Sequence, residues 1–128
     1  MVKNMLTIKE AENKTIAEQF LLQKGIEVSL TEDIVMTCMD RDECLGVATL
    51  SLKEAGKVYL DLVKMIEEDL SFAHGMAKSI LNLADLRGIK LVYGKNPELV
   101  RLYQMLQFKE QDGEYVLSLE GYFTADKH

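Results

Sequence analysis

The chain has 128 residues and a formal net charge of −6, from 15 basic and 21 acidic side chains. With 48% apolar and 28% charged residues it has the composition of a globular protein, and its length suits one domain, 1–128, with its own core. The acidic balance excludes a general nucleic-acid binder or a binder of anionic membranes, since both need a basic surface.

No stretch of Met1–Glu10 has the apolar run of a signal peptide, and nothing later is long and apolar enough to span a bilayer, so a cytoplasmic protein is expected. Cys38 and Cys44 are the only cysteines and have no nearby histidines, so both are expected to be reduced, to pack as small apolar residues and to bind no metal.

A strand is expected over Met5–Lys9 and a helix from Ala11 to Lys24, with Ile16, Ala17, Phe20 and Leu21 on one face and Gly25 ending it. Ile34–Met39 and Leu45–Leu52 read as a hairpin around the polar turn Asp40–Glu43. A turn at Glu54–Lys57 leads into a third strand, Val58–Ile66. The period then becomes helical from Ser71 to Arg87, through Phe72, Met76, Ile80, Leu83 and Leu86, with Ser71 as N-cap and Gly88 as C-cap. Leu91–Tyr93 is a short strand. Asn96-Pro97 opens a further helix to Leu106, and Phe108–Gln111 and Glu114–Leu119 form a hairpin across Asp112-Gly113. Val58–Tyr93 is then a right-handed βαβ unit with parallel strands. The whole is an α/β (α+β) domain around one mixed sheet of roughly six to seven strands with flanking helices.

Two segments carry candidate chemistry. At the start of the long helix, Gly75 and Ala77 are small enough for a ligand phosphate to approach free helix-start amides, with Lys78 and His74 as further donors. The same small residues also suit tight packing of the helix on the sheet. The run Glu67-Glu68-Asp69 favours a helix N-terminus and repels a phosphate bound there. The second segment is Asn96 to Phe108, a capped helix carrying the Leu102-Tyr103 pair.

This second segment resembles a signature of the GCN5-related N-acetyltransferase (GNAT) family, in which an asparagine caps a helix bearing Leu-Tyr and ending in Gly-Phe. The family's other signature, Gln or Arg followed by x-x-Gly-x-Gly/Ala, falls on Phe72 to Ala77. Three departures stand out: Phe72 replaces Gln or Arg, Leu99 replaces a small residue, and Gln107 replaces Gly. The likeness covers about Leu45–Phe108.

The resemblance implies a GNAT-like fold and transfer of an acetyl group from acetyl-CoA, as co-substrate, to a small-molecule or peptide amine by direct attack. A form that has lost transfer and serves as an acyl-CoA-binding or interaction module is the alternative. The cofactor would lie in a splay between Val58–Ile66 and Leu91–Tyr93. Its arm would follow the strand edge around Leu62–Met65, with Leu62, Val63 and Lys64 as contacts, and its pyrophosphate the N–H groups of Ala73, His74, Gly75, Met76, Ala77 and Lys78, with Asn96 nearby. Tyr103 would protonate the leaving thiolate, a step worth about 10²–10⁴-fold; otherwise it is a core aromatic whose hydroxyl finds a backbone partner. Asp61, Glu67 and Glu68 are candidate bases, and an apolar sheet edge offers a homodimer surface. A third alternative is an unrelated α/β domain whose matches are accidental, which full-length pairing of the two strands, with no splay, would favour.

Overall fold

The computed structural model describes residues 6–123. Its strands are β1 (Leu6–Glu10), β2 (Ile34–Asp40), β3 (Glu43–Ser51), β4 (Tyr59–Met65), β5 (Leu91–Gly94), β6 (Lys109–Gln111) and β7 (Glu114–Ser118). The helices are α1 (Lys14–Gln23), α2 (Leu70–Leu86) and α3 (Val100–Met105), the last preceded by a 3₁₀ turn at Pro97–Leu99. The described strands form one sheet in the order β1-β2-β3-β4-β5-β7-β6. All neighbours are antiparallel except β4 and β5, the parallel pair of the βαβ unit. The expected element order is therefore found.

Several boundaries moved for identifiable reasons. The first strand runs one residue further, to Glu10, and Met5 lies outside the described residues. Helix α1 starts only at Lys14, because Asn13 caps it by accepting from the Thr15 N–H at 2.9 Å. Its buried residues are Ala17, Phe20 and Leu21, whereas Ile16 is exposed. Helix α2 is capped by Asp69, whose carboxylate accepts from Phe72 N–H at 3.2 Å; Ser71, the expected cap, lies inside the first turn. The face that α2 buries is Ala73, Met76, Ala77, Ile80, Leu81 and Ala84, rotated by one position from the expected stripe, which leaves Leu86 at 75% exposure. Small alanines let the helix axis approach the sheet, so they take the inner face from larger residues.

The sheet is covered on both faces. One cluster joins α2 and α3 to Met36, Ala48, Leu50, Leu60 and Val63. A smaller one joins Ala17, Phe20 and Leu21 of α1 to Leu30, Val35 and Val47. Cys38 is buried and Cys44 half-buried; burial is the main cause raising both thiols above their ordinary pKa.

Candidate functional site

Strands β4 and β5 pair only at Tyr59 and Tyr93, where the Tyr93 N–H donates to Val58 O at 2.8 Å. The cause lies in β4. Across from it, Leu50 faces Leu60 and Thr49 faces Leu62, so Asp61 is an extra residue. Such a β-bulge bends its strand, and beyond it β4 and β5 part.

Two buried or half-buried side chains close the inner end of the gap. The Tyr103 hydroxyl donates to Leu60 O at 2.7 Å and accepts from the Asn96 N–H at 3.3 Å. The Asn96 side chain donates from Nδ2 to Asp61 O at 2.8 Å and accepts at Oδ1 from the Glu98 N–H at 2.9 Å. One asparagine thus starts the 3₁₀ turn and ties it to the bulge. Tyr103 is fully buried, its ring 5.1 Å from that of Phe108 and 5.3 Å from that of Tyr115. Burial is the main cause pushing its pKa up to about 12.

Beyond these bridges the gap opens into a cleft of about 570 Å³ between β4, the start of α2 and residues 98–102. Ile66 N–H donates to Leu45 O on the β3 side. By the two-residue alternation of a strand, Val63 and Met65 turn their N–H and C=O groups to the open side. Ala73, Leu99 and Leu102 add apolar walls, while Lys64, Arg101, Glu68, Asp69 and Glu98 supply charge. Lys64 Nζ pairs with Glu98 Oε1 at 3.2 Å, from one lip of the cleft to the other.

The expected site residues divide clearly. Val63, Lys64 and Ala73 line the cleft, and Asn96 binds its inner end. Leu62 packs against the α1 cluster on the other face. The expected phosphate cradle is not present at Ala73 to Lys78. The Ala73 N–H already donates to Asp69 O at 2.9 Å, and later amides lie within the helix. Met76 and Ala77 are core residues, and Gly75 is exposed, with nothing within 4 Å of a Cβ placed on it. His74 is not among the cleft-lining residues, and the Lys78 ammonium stands over the Tyr122 and Phe123 rings at 5.0 and 5.6 Å. Met65, the end of the strand edge expected for the arm, also lines the cleft, whereas Leu70, Arg101 and Leu102 were not expected there.

Among solved structures, this architecture matches acetyltransferases. A GNAT-family acetyltransferase from Elizabethkingia anophelis, solved with acetyl-CoA bound, superposes with a TM-score of 0.64 over 91% of this chain and 100% of its own, at 13% identity. The fold is that of the GNAT acetyltransferases. A Bacillus subtilis acetyltransferase in complex with CoA gives 0.60 at 14% identity over 91% of this chain and 99% of its own. The spermidine/spermine N-acetyltransferase of Vibrio cholerae gives 0.67 at 12% identity, over 94% and 98%. No protein-family model and no curated protein sequence matches the chain. Among the described residues, no helix is long and apolar enough to cross a membrane, and no cluster of His, Cys, Asp and Glu is placed to hold a metal ion.

Proposed function

We propose that the protein is an acyl-CoA-dependent N-acyltransferase that moves an acetyl group to an amine by direct attack. The observation that carries this reading is the unpaired edge of β4 beyond its single contact with β5, opening on an apolar-walled cleft. An extended pantetheine arm carries amides that match the free N–H and C=O groups of Val63 and Met65, as an added strand would. The amine nitrogen bonds to the thioester carbon, the carbon–sulfur bond breaks, and the thiolate leaves with a proton. A backbone N–H of the open edge serves the developing oxyanion.

Tyr103 is our candidate proton donor, since its hydroxyl stands at the inner end of the gap and stays protonated up to about pH 12. Asp61 is our candidate base. It is half-buried at the bulge, and burial raises its carboxyl above the usual range, which makes its anion a better proton acceptor. Access to acetyl-CoA goes with a cytoplasmic location.

One observation favours a second reading, acyl-CoA binding without transfer: the Tyr103 hydroxyl already donates its proton to Leu60 O. Thermal unfolding with acetyl-CoA tests the shared step, because a ligand selective for the native state raises the melting temperature. Absence of any shift at millimolar acetyl-CoA overturns both readings. Thiol release across a broad panel of amines then separates them: release supports transfer, and binding without release supports the second.

A further inference from the structure

The cleft is unequal along its length. Its inner part offers unpaired backbone on Val63 and Met65 between apolar walls. The other end is the start of α2, where the helix's free amides could receive the phosphates of a nucleotide. One of those amides is taken: Phe72 N–H is held by the Asp69 carboxylate at 3.2 Å, while Ala73 N–H makes the first bond of the helix, to Asp69 O at 2.9 Å. The Leu70 and Ser71 amides are left in the first turn, next to the carboxylates of Glu67, Glu68 and Asp69.

The cations give little compensation. Lys64 is paired with Glu98, and Lys78 is stacked on Tyr122 and Phe123. Arg101 remains on the wall against three carboxylates, those of Glu68, Asp69 and Glu98. A pyrophosphate placed here meets like charge on a helix end that already carries its own anion.

We propose that the cleft selects its donor by the pantetheine arm alone: its substrates are acyl-pantetheine thioesters as a class, the nucleotide of coenzyme A adds little, and Asp69 is the residue that sets this preference. The proposal rests on the acyl-CoA reading above and sharpens it. Asp69 acts by holding the Phe72 amide with its carboxylate and by placing that negative charge at the helix start, where a phosphate would have to sit beside it.

The test measures dissociation constants, by calorimetry on the full chain, for acetyl-CoA, acetyl-4′-phosphopantetheine and acetyl-pantetheine. The three are expected to agree within about tenfold. Asp69→Asn keeps an N-capping side chain but removes its charge, and is expected to tighten acetyl-CoA about tenfold relative to acetyl-pantetheine. Acetyl-CoA binding more than about 100-fold tighter than acetyl-pantetheine in the unaltered protein overturns the proposal. An unchanged donor ratio in Asp69→Asn removes Asp69 from it. Failure of all three donors to bind is a different result, which overturns the acyl-CoA reading itself and this inference with it.

Discussion

The ring of Tyr103 lies directly on the backbone of Gly94, so closely that a Cβ at position 94 would overlap three of its ring atoms. Gly94 is the last residue of β5, and Tyr103 carries the hydroxyl that bonds Leu60 of β4. The aromatic ring therefore takes the place that strand pairing vacates, and the missing side chain at 94 is what admits it. Gly94→Ala must push the ring out or shift β5. We expect a loss of about 1–3 kcal/mol, as for other overpacked cores. Urea unfolding checks this; a loss well below this range would mean that the ring relocates freely. The acetyl-CoA-dependent rise in melting temperature should shrink in the same variant, because Tyr103 and Asn96 frame the inner end of the cleft.

Tyr103→Phe separates the two roles of its hydroxyl. As a bridge between Leu60 and Asn96 it contributes about 1 kcal/mol, the usual net worth of a hydrogen bond. As proton donor to the thiolate it is worth about 10²–10⁴-fold in turnover. Small stability loss with a large fall in turnover and a retained acetyl-CoA shift supports catalysis; stability loss alone supports the bridge. The phenol also has an alkaline signature. Its folded pKa is raised from 10.0 to about 12, so its contribution to stability is full below the unfolded value and is lost as pH rises through about 12. Tyr59, also raised to about 12 by burial and by its bond to Glu114, behaves in the same way. Ultraviolet titration of tyrosinate should show late-ionising groups, one of which disappears in Tyr103→Phe.

The sequence showed the order of the elements because period and punctuation are local properties. Alternating Ile34–Met39, the Asp112-Gly113 turn and the Asn96-Pro97 helix start each declare themselves within a few residues. The turn, for example, has both residues at positive φ, 55° and 83°. The βαβ unit was legible for the same reason. The register was not. Nothing in Leu60-Asp61-Leu62 marks a bulge, since it exists only relative to Thr49 and Leu50 across the sheet. The phosphate cradle was placed too far along α2, because only the amides of a helix's first turn lack an intrahelical partner; after the Asp69 cap, those of Gly75 to Lys78 lie inside the helix. The inner face of α2 was missed by one position because alanines, weak in a hydrophobic stripe, fit the sheet more closely.

Gln107 stands where the family's pattern has glycine, and its φ of +72° shows why glycine suits the position. It follows α3 as a left-handed residue, with the Phe108 N–H returning to Tyr103 O at 2.9 Å and the Gln107 N–H to Gln104 O at 3.0 Å, a Schellman closure. A non-glycine residue there costs about 1–2 kcal/mol, partly offset by the extra freedom glycine gains in the unfolded chain. Gln107→Gly should therefore stabilise by roughly 0.5–1 kcal/mol, a rise of about 2–4 °C in melting temperature. An unchanged or lower melting temperature would mean that the Gln107 side chain makes up the strain.

Asp61 combines a structural cost with a proposed chemical role, and its pH dependence shows both. Burial is the first cause that raises its carboxyl, and the charge of Asp33 is the second; Lys53 and Lys95 work in the other direction. Because the folded pKa lies above the unfolded one, the folded state holds this proton more tightly. The resulting stability is complete below the unfolded value of about 3.9 and is lost as pH rises through the folded pKa. Asp61→Asn removes the ionisation. The variant should match the unaltered protein in strong acid and unfold at a higher temperature than it at neutral pH. Its transfer rate should fall at that same neutral pH if Asp61 takes the proton of the amine. Opposite movements of stability and turnover are the mark of a group kept for function against its own cost. Equal melting temperatures from acid to neutral pH would show that the carboxylate is fully solvated, and an undiminished transfer rate would remove it as the base.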